Sequence, residues 1–184
     1  MSKVYAFMAE GFEEVECLSV VDILRRAGVE TTMVSVSGSL EVTGSHQITV
    51  KADALFSRVN CKEADLLFLP GGVPGTPNLL AHQGLCQALK EAAEDGRRLA
   101  AICAAPSILG QLHLLEGKEA TCYPGWEDKL LGAVHKNDGV VTDGKITTGR
   151  GMGYGVDLGL ELVRILVDEA TSEDLKEAIQ YNWQ

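Results

Sequence analysis

The sequence is short of several things, and each shortage excludes a class of protein. Its 184 residues carry 16 Lys and Arg against 26 Asp and Glu, a formal net charge of −10, with no basic cluster larger than the pairs Arg25-Arg26 and Arg97-Arg98. Sequence-blind binding to nucleic acid or to an anionic membrane surface needs a basic footprint, so neither partner is expected. No apolar run approaches the roughly 20 residues of a bilayer-spanning helix. Met1-Ser2-Lys3 leads straight into a five-residue apolar run, where a secretory leader would differ. A cytoplasmic protein is the expectation. The five cysteines (Cys17, Cys61, Cys86, Cys103, Cys122) are odd in number and form no CxxC pair, which fits neither a disulfide framework nor a zinc ribbon. Reduced thiols and no metal are expected. Internal repeats, low-complexity segments and linkers are absent. With 46% hydrophobic and 23% charged residues, 1–184 reads as one globular domain.

What is present is an alternation of strand and helix patterns. Val4-Tyr5-Ala6-Phe7-Met8 is continuously apolar, as a parallel strand buried on both faces should be. From Glu13 to Ala27, apolar Val15, Leu18, Val21 and Leu24 recur at helical spacing, with acids first, Arg25-Arg26 last and Gly28 behind. Thr31 to Val36 reads as a strand, and Glu41 to Thr43 with His46 to Val50 as a hairpin across Gly44-Ser45. Asp65 to Leu69 is a strand stopped by Pro70-Gly71-Gly72, which open a Pro/Gly-rich loop to Asn78. A helix follows over Leu85 to Asp95, then a short strand, Leu99 to Ile102, running into Cys103-Ala104-Ala105-Pro106, where Pro suits a first helical turn. Beyond it the pattern predicts a strand over Ala120 to Tyr123, a helix over Trp126 to Leu131 and a hairpin of Val140 to Thr142 with Lys145 to Thr148 across Asp143-Gly144. A long helix spans Tyr154 to Val167, and Thr171-Ser172-Glu173-Asp174 reads as the capping box of a last one. Such alternation predicts a three-layer α/β sandwich with a mainly parallel sheet.

Open α/β sheets bind ligands beyond the carboxyl ends of their strands. Three features converge there: Glu13, Glu14 and Glu16 after the first strand, Gly71-Gly72 after the Leu66 strand, and Cys103 after the Leu99 strand. A cysteine at a helix N-terminus meets the positive end of the dipole, which favours thiolate. The small neighbours Ala100, Ala101, Ala104 and Ala105 suit a sharp strand-to-helix turn like the nucleophile elbow of hydrolases. The N–H groups of Ala104 and Gly72 are candidate oxyanion donors, because glycine lets backbone approach a ligand. A small buried hydrophobe is the other reading of Cys103. Glu13 and Glu14 read as acids placed for the helix dipole. His46, His82, His113 and His135 read as surface or packing residues, and Cys17, Cys61, Cys86 and Cys122 as structural.

Five blocks occur in order: Ala9 to Glu16, Val21 to Gly28, Leu69 to Gly72, Ala100 to Pro106 and Gly149 to Gly153. Together they resemble the ThiJ/PfpI superfamily, in the branch of the human parkinsonism-associated deglycase and its bacterial relatives. The resemblance implies a flavodoxin-like homodimer with Cys103 as reactive nucleophile and Glu16 as the carboxyl group touching it. A carboxylic acid beside a thiolate should stay protonated, and the two should titrate as one unit. By the same resemblance Gly71, Tyr123, Arg150 and Gly151 line the pocket, and Arg26 with the Glu41 to Val50 hairpin makes dimer contacts. Two places depart from the pattern. Ala104 follows Cys103 where the protease and amidase branch has histidine, which disfavours a Cys-His peptidase. Tyr123 stands where the human deglycase has a pocket histidine. The implied activity is a cofactor-independent glyoxalase or deglycase acting on methylglyoxal, glyoxal or their adducts, so the expected partner is a small reactive carbonyl. Open beside it are an oxidative-stress sensor or chaperone whose cysteine becomes a sulfinate, a peptidase or thiazole-biosynthesis protein, and a binding module with an inert thiol.

Overall fold

Eleven strands and six α-helices alternate along residues 2–181, which the computed structural model describes. In chain order they are β1 (Lys3–Met8), α1 (Glu14–Arg26), β2 (Glu30–Ser35), β3 (Glu41–Thr43), β4 (Thr49–Lys51), β5 (Ala54–Leu55), β6 (Leu66–Leu69), α2 (Gly75–Ala81), α3 (Gln83–Glu94), β7 (Arg98–Ile102), α4 (Pro106–Gln111), β8 (Glu119–Ala120), β9 (Val134–His135), β10 (Val140–Asp143), β11 (Ile146–Gly149), α5 (Gly155–Leu166) and α6 (Glu169–Ala178). Seven strands make the central sheet in the order β10-β11-β7-β6-β1-β2-β5. Every pairing is parallel except β10 with β11. This is the mainly parallel α/β sandwich that the alternation predicts, in the flavodoxin-like form that the resemblance implies.

The pleat of β1 explains why its apolar run is unbroken. Val4, Ala6 and Met8 enter the core shared with Val20, Val21 and Leu24 of α1 and Leu158 and Leu162 of α5. Tyr5 and Phe7 enter the opposite core, with Leu85 and Leu89 of α3 and Ile108 of α4. Each of the large ones, such as Val4, Phe7, Met8 or Leu24, contributes about 1.5–3 kcal/mol when fully buried. Helix α1 approaches α5 closely because Gly159 carries no side chain: a Cβ there would lie 2.9 Å from Cβ of Ile23. The helix that carries Glu16 is thus seated against α5 by a missing methyl group. Among the described residues, no helix is long and apolar enough to cross a membrane.

Several local expectations are corrected. The Pro/Gly-rich stretch to Asn78 is not all loop, since α2 starts at Gly75; Pro77 falls in its first turn, where no intrahelical N–H donor is needed. The second hairpin strand is Thr49–Lys51, three residues later than its predicted start at His46. Ala120 to Tyr123 shortens to Glu119–Ala120, and the Trp126 to Leu131 helix to a single 3-10 turn at Glu127–Lys129. The last helix begins at Glu169, capped by Asp168, whose carboxylate accepts the Thr171 N–H at 2.7 Å. Thr171 to Asp174 therefore lie inside that helix and form no capping box.

Candidate active site

Strand β7 ends at Ile102, and the next residue turns left-handed: Cys103 has φ +64°. For a residue with a Cβ that conformation costs about 1–3 kcal/mol, and two hydrogen bonds to different segments hold it. The Cys103 N–H donates to the Gly149 carbonyl at 2.9 Å, and its own carbonyl accepts the Tyr123 N–H at 2.8 Å. Ala100, Ala101, Ala104 and Ala105 are all buried around the turn, where larger side chains would collide. The predicted helix does follow, with Pro106 as its first residue, but it begins three residues beyond Cys103 and is six residues long. The sulfur's electrostatic support therefore comes mainly from individual N–H groups, those of Ala104 and Gly72, both of which pull its pKa down.

Glu16 enters from the other core. It lies in the first turn of α1, where the Glu13 carboxylate accepts its N–H at 2.6 Å as N-cap. Its side chain is fully buried, and Oε2 accepts the Gly71 N–H at 2.9 Å. The Cys103 thiol lies against the same carboxyl group. Gly71 makes this approach possible, because a Cβ on it would stand 2.6 Å from Oε2 of Glu16 and 2.7 Å from Cβ of Cys103. Gly72 follows at φ +96°, and a Cβ there would lie 2.4 Å from the Glu13 nitrogen.

The electrostatics of the pair follow from this burial. Desolvation pushes the Glu16 carboxyl up to about 7; the Glu13 charge adds to the rise, and bonding to Cys103 and to the Gly71 N–H opposes it. Desolvation also pushes the Cys103 thiol well above its ordinary value, and the Glu16 charge pushes it further, while the Ala104 and Gly72 N–H groups pull it down. Both shifts have one cause: the site resists two negative charges. One negative charge with one shared proton is the state it accommodates, and its titration belongs to the pair. A protonated Glu16 removes the repulsion that raises Cys103 and offers the sulfur a donor.

Around this centre the other expected residues are placed unequally. Tyr123 is half exposed and adjoins Gly151, where an added Cβ would lie 3.3 Å from Cδ2 of its ring. Arg150 is held by its N–H to the Gly139 carbonyl at 2.8 Å and by its guanidinium to the Asn137 carbonyl. Arg26 stands apart in the last turn of α1, its Nε 2.6 Å from Oδ2 of Asp22 on an exposed face. Burial pushes Cys17 up to about 12 and Cys122 up to about 11, and it raises Cys61 and Cys86 as well.

Glu14 is more than a dipole-favourable acid. Only 2% exposed, it accepts the N–H of His46 at 2.7 Å and of Ile48 at 3.3 Å, and its Oε2 lies 3.0 Å from Nδ1 of His46. Burial alone would raise its pKa, but the hydrogen bonds outweigh it and hold the carboxyl below its ordinary value. Glu14 thus ties the segment between β3 and β4 to the start of α1. Gly44 is needed there, since a Cβ would fall 2.2 Å from Cδ of Glu14. Glu13, Glu14 and His46 also form a group of metal-type donors among the described residues, with ligand atoms within 4.8 Å of one another. The hairpin's hydrogen bonds already account for that convergence.

A flavodoxin-like sandwich with a cysteine on a left-handed turn, a buried carboxyl group against it and two N–H groups at the sulfur defines a class of cysteine-centred α/β proteins. The family within that class is set by comparison. Residues 2–165 match the DJ-1/PfpI family, and the chain belongs to it. It is 40% identical over 167 residues to protein DJ-1 homolog B of Arabidopsis thaliana, covering 90% of this chain but 38% of that protein. The chain thus spans well under half of that relative's length. A deglycase of Pyrococcus abyssi is 33% identical over 131 residues, 71% of this chain and 78% of its own. Among solved structures, oxidized DJ-1 of Toxoplasma gondii superposes with a TM-score of 0.95 at 32% identity, over 100% of both chains.

Proposed function

We propose that the protein is a cofactor-independent enzyme that converts small reactive carbonyls through Cys103, a glyoxalase or deglycase. The observation that carries this reading is the pairing of Cys103 with a carboxyl group raised to about 7, on a turn where the Ala104 and Gly72 N–H groups meet the sulfur. The Cys103 thiolate adds to the aldehyde carbon of methylglyoxal, giving a hemithioacetal oxyanion that these N–H groups stabilise. Glu16 protonates that oxygen, then, as carboxylate, takes the proton from the former aldehyde carbon and returns it to the neighbouring carbon, while the hydroxyl proton passes to the neighbouring oxygen and leaves a thioester carbonyl. A group with a pKa near 7 suits both directions of transfer. The resulting thioester is hydrolysed, so one methylglyoxal and one water give lactate and free Cys103; glyoxal gives glycolate. The same addition to glycated amines or thiols would appear as deglycation, a reading supported by the name of the Pyrococcus abyssi relative.

Methylglyoxal loss with lactate detection, without glutathione, tests this in the parent, Cys103→Ser and Glu16→Gln. Lactate from the parent alone supports the reading, and equal turnover by Cys103→Ser refutes it. A second reading, oxidation of Cys103 to a sulfinate, is favoured by the oxidized Toxoplasma gondii relative. Intact mass after mild peroxide checks it, the expected result being two oxygens gained at Cys103 and none in Cys103→Ser.

The acting form is proposed to be a homodimer in the cytoplasm. Val15 and Leu18 of α1 are 49% and 37% exposed, and Ile48, held to α1 through Glu14, is 54% exposed. Exposed apolar groups of this size are of the kind that association covers. Sedimentation of Leu18→Glu, expected as monomer against a dimeric parent, tests it.

A further inference from the structure

We infer that Glu13 is a positioning residue for the Cys103 and Glu16 pair: it closes a ring of three hydrogen bonds around the Glu16 side chain and sets a second carboxylate beside it. The ring joins the start of α1 to the end of β6. The Glu13 N–H donates to the Gly71 carbonyl at 2.9 Å, the Gly71 N–H donates to Oε2 of Glu16 at 2.9 Å, and the Glu16 N–H donates to Oε2 of Glu13 at 2.6 Å.

Each bond constrains a different part of the reactive centre. The cap at Oε2 of Glu13 holds the first turn of α1, and with it the backbone of Glu16. The Gly71 N–H holds the far end of the same side chain. The third bond acts on the peptide unit between Gly71 and Gly72, whose carbonyl is Gly71's and whose N–H is Gly72's. In a planar trans unit these two groups point in opposite directions, so a carbonyl held by Glu13 aims the N–H away from Glu13. That N–H is one of the two that pull the Cys103 pKa down. One residue therefore orients both the acid of the pair and a donor to its sulfur.

Capping alone does not call for an acid, since Ser, Thr or Asn serves as well. What the carboxylate adds is charge in a sheltered place: the Glu13 side chain is 13% exposed, and partly buried charges are weakly screened. A negative charge there opposes ionisation of the pair, in keeping with its part in raising Glu16. The other titratable groups facing Glu16 are Cys103 and Cys17, the latter pushed up to about 12 and so neutral. Facing Glu13 are Glu14 and His46, whose Nδ1 lies 3.8 Å from Oε1 of Glu13. The inference does not rest on the carbonyl chemistry proposed above, because its test reads the thiol itself.

The test is the rate of iodoacetamide labelling of Cys103 as a function of pH, read by peptide mass on the full chain. Parent, Glu13→Gln, Glu13→Asp and Glu13→Ala are compared, each also with His46→Gln so that the imidazole does not contribute. Glu13→Gln keeps an acceptor and loses the charge, so its rate should rise about half a pH unit or more below the parent's. Glu13→Asp keeps both cap and charge and should follow the parent. Glu13→Ala loses both: its profile should move with that of Glu13→Gln, and hydrogen exchange at the Gly71 amide should quicken about fivefold, against no more than about twofold in Glu13→Gln. An unmoved profile in Glu13→Gln, a displacement shared by Glu13→Asp, or unchanged Gly71 exchange in Glu13→Ala overturns the inference.

Discussion

Replacing Glu16 by Gln keeps the size of a buried group and an acceptor for the Gly71 N–H, while removing the ionisation that burial opposes. The pKa is about 7 folded against 4.5 for an exposed carboxyl. Between those values the folded chain holds more protons than the unfolded one, so this group makes stability fall as pH rises. The penalty is absent below the unfolded pKa, grows through the window and is complete above the folded one. With 1.36 kcal/mol per pH unit it is about 1 kcal/mol at pH 5 and about 3 kcal/mol at pH 8. Any cost of burying the amide is the same at both pH values, so the change in the parent-to-variant difference, about 2 kcal/mol in favour of the variant at high pH, is the quantity to read. In thermal terms that is roughly 4–8 °C for a chain of this size. Urea unfolding of both proteins at fixed protomer concentration, followed by circular dichroism from pH 5 to 8, measures it. A difference that does not move with pH refutes the raised carboxyl, and with it the single-charge account of the pair.

Other outcomes follow from the same geometry. Gly71→Ala puts a methyl group between Glu16 and Cys103, so it should cost about 1–3 kcal/mol in urea unfolding and slow iodoacetamide labelling of Cys103. Glu14→Gln loses the anion that gathers the His46 and Ile48 N–H groups, with an expected loss of about 1–3 kcal/mol at pH 7 and faster hydrogen exchange over 45–48. Its pH sign is opposite to that of Glu16: the Glu14 carboxyl is held below its ordinary value, so its contribution is present above the ordinary carboxylate range and fades as pH falls through the lower folded pKa.

The sequence is most informative where the physics is local. The unbroken apolar run of β1, the three-residue spacing along α1, and a cysteine among alanines after a short strand each specify their own conformation. Helix α2 was hidden because Pro and Gly signal loops, yet a proline in a first turn breaks no intrahelical bond. The last helix was misplaced because Thr171 to Asp174 mimic a cap, while the cap in use, Asp168, comes three residues earlier. In the site, Cys103 and Glu16 are marked by position and by resemblance, but the separation of Glu13 from Glu14 is not. One accepts an N–H three residues away; the other reaches a hairpin more than thirty residues on, a partnership that no local pattern encodes. The ring that Glu13 closes through Gly71 and Glu16 is equally silent in the sequence, since it joins segments that only the finished packing brings together.

Glu16 and Cys103 reach each other from opposite ends of the folding problem: one rides a helix seated by Gly159, the other ends a strand on the far side of β6 from β1, and 87 positions of sequence separate them. Their contact is made only when α1 has docked. The shared titration of this site is therefore a signature of assembled tertiary structure, and a chain that has lost its helix packing keeps the thiol but reverts to ordinary cysteine chemistry. Within any sample, the fraction of molecules that label like the paired thiol counts the fraction properly assembled, so the reactive centre doubles as a built-in gauge of its own fold.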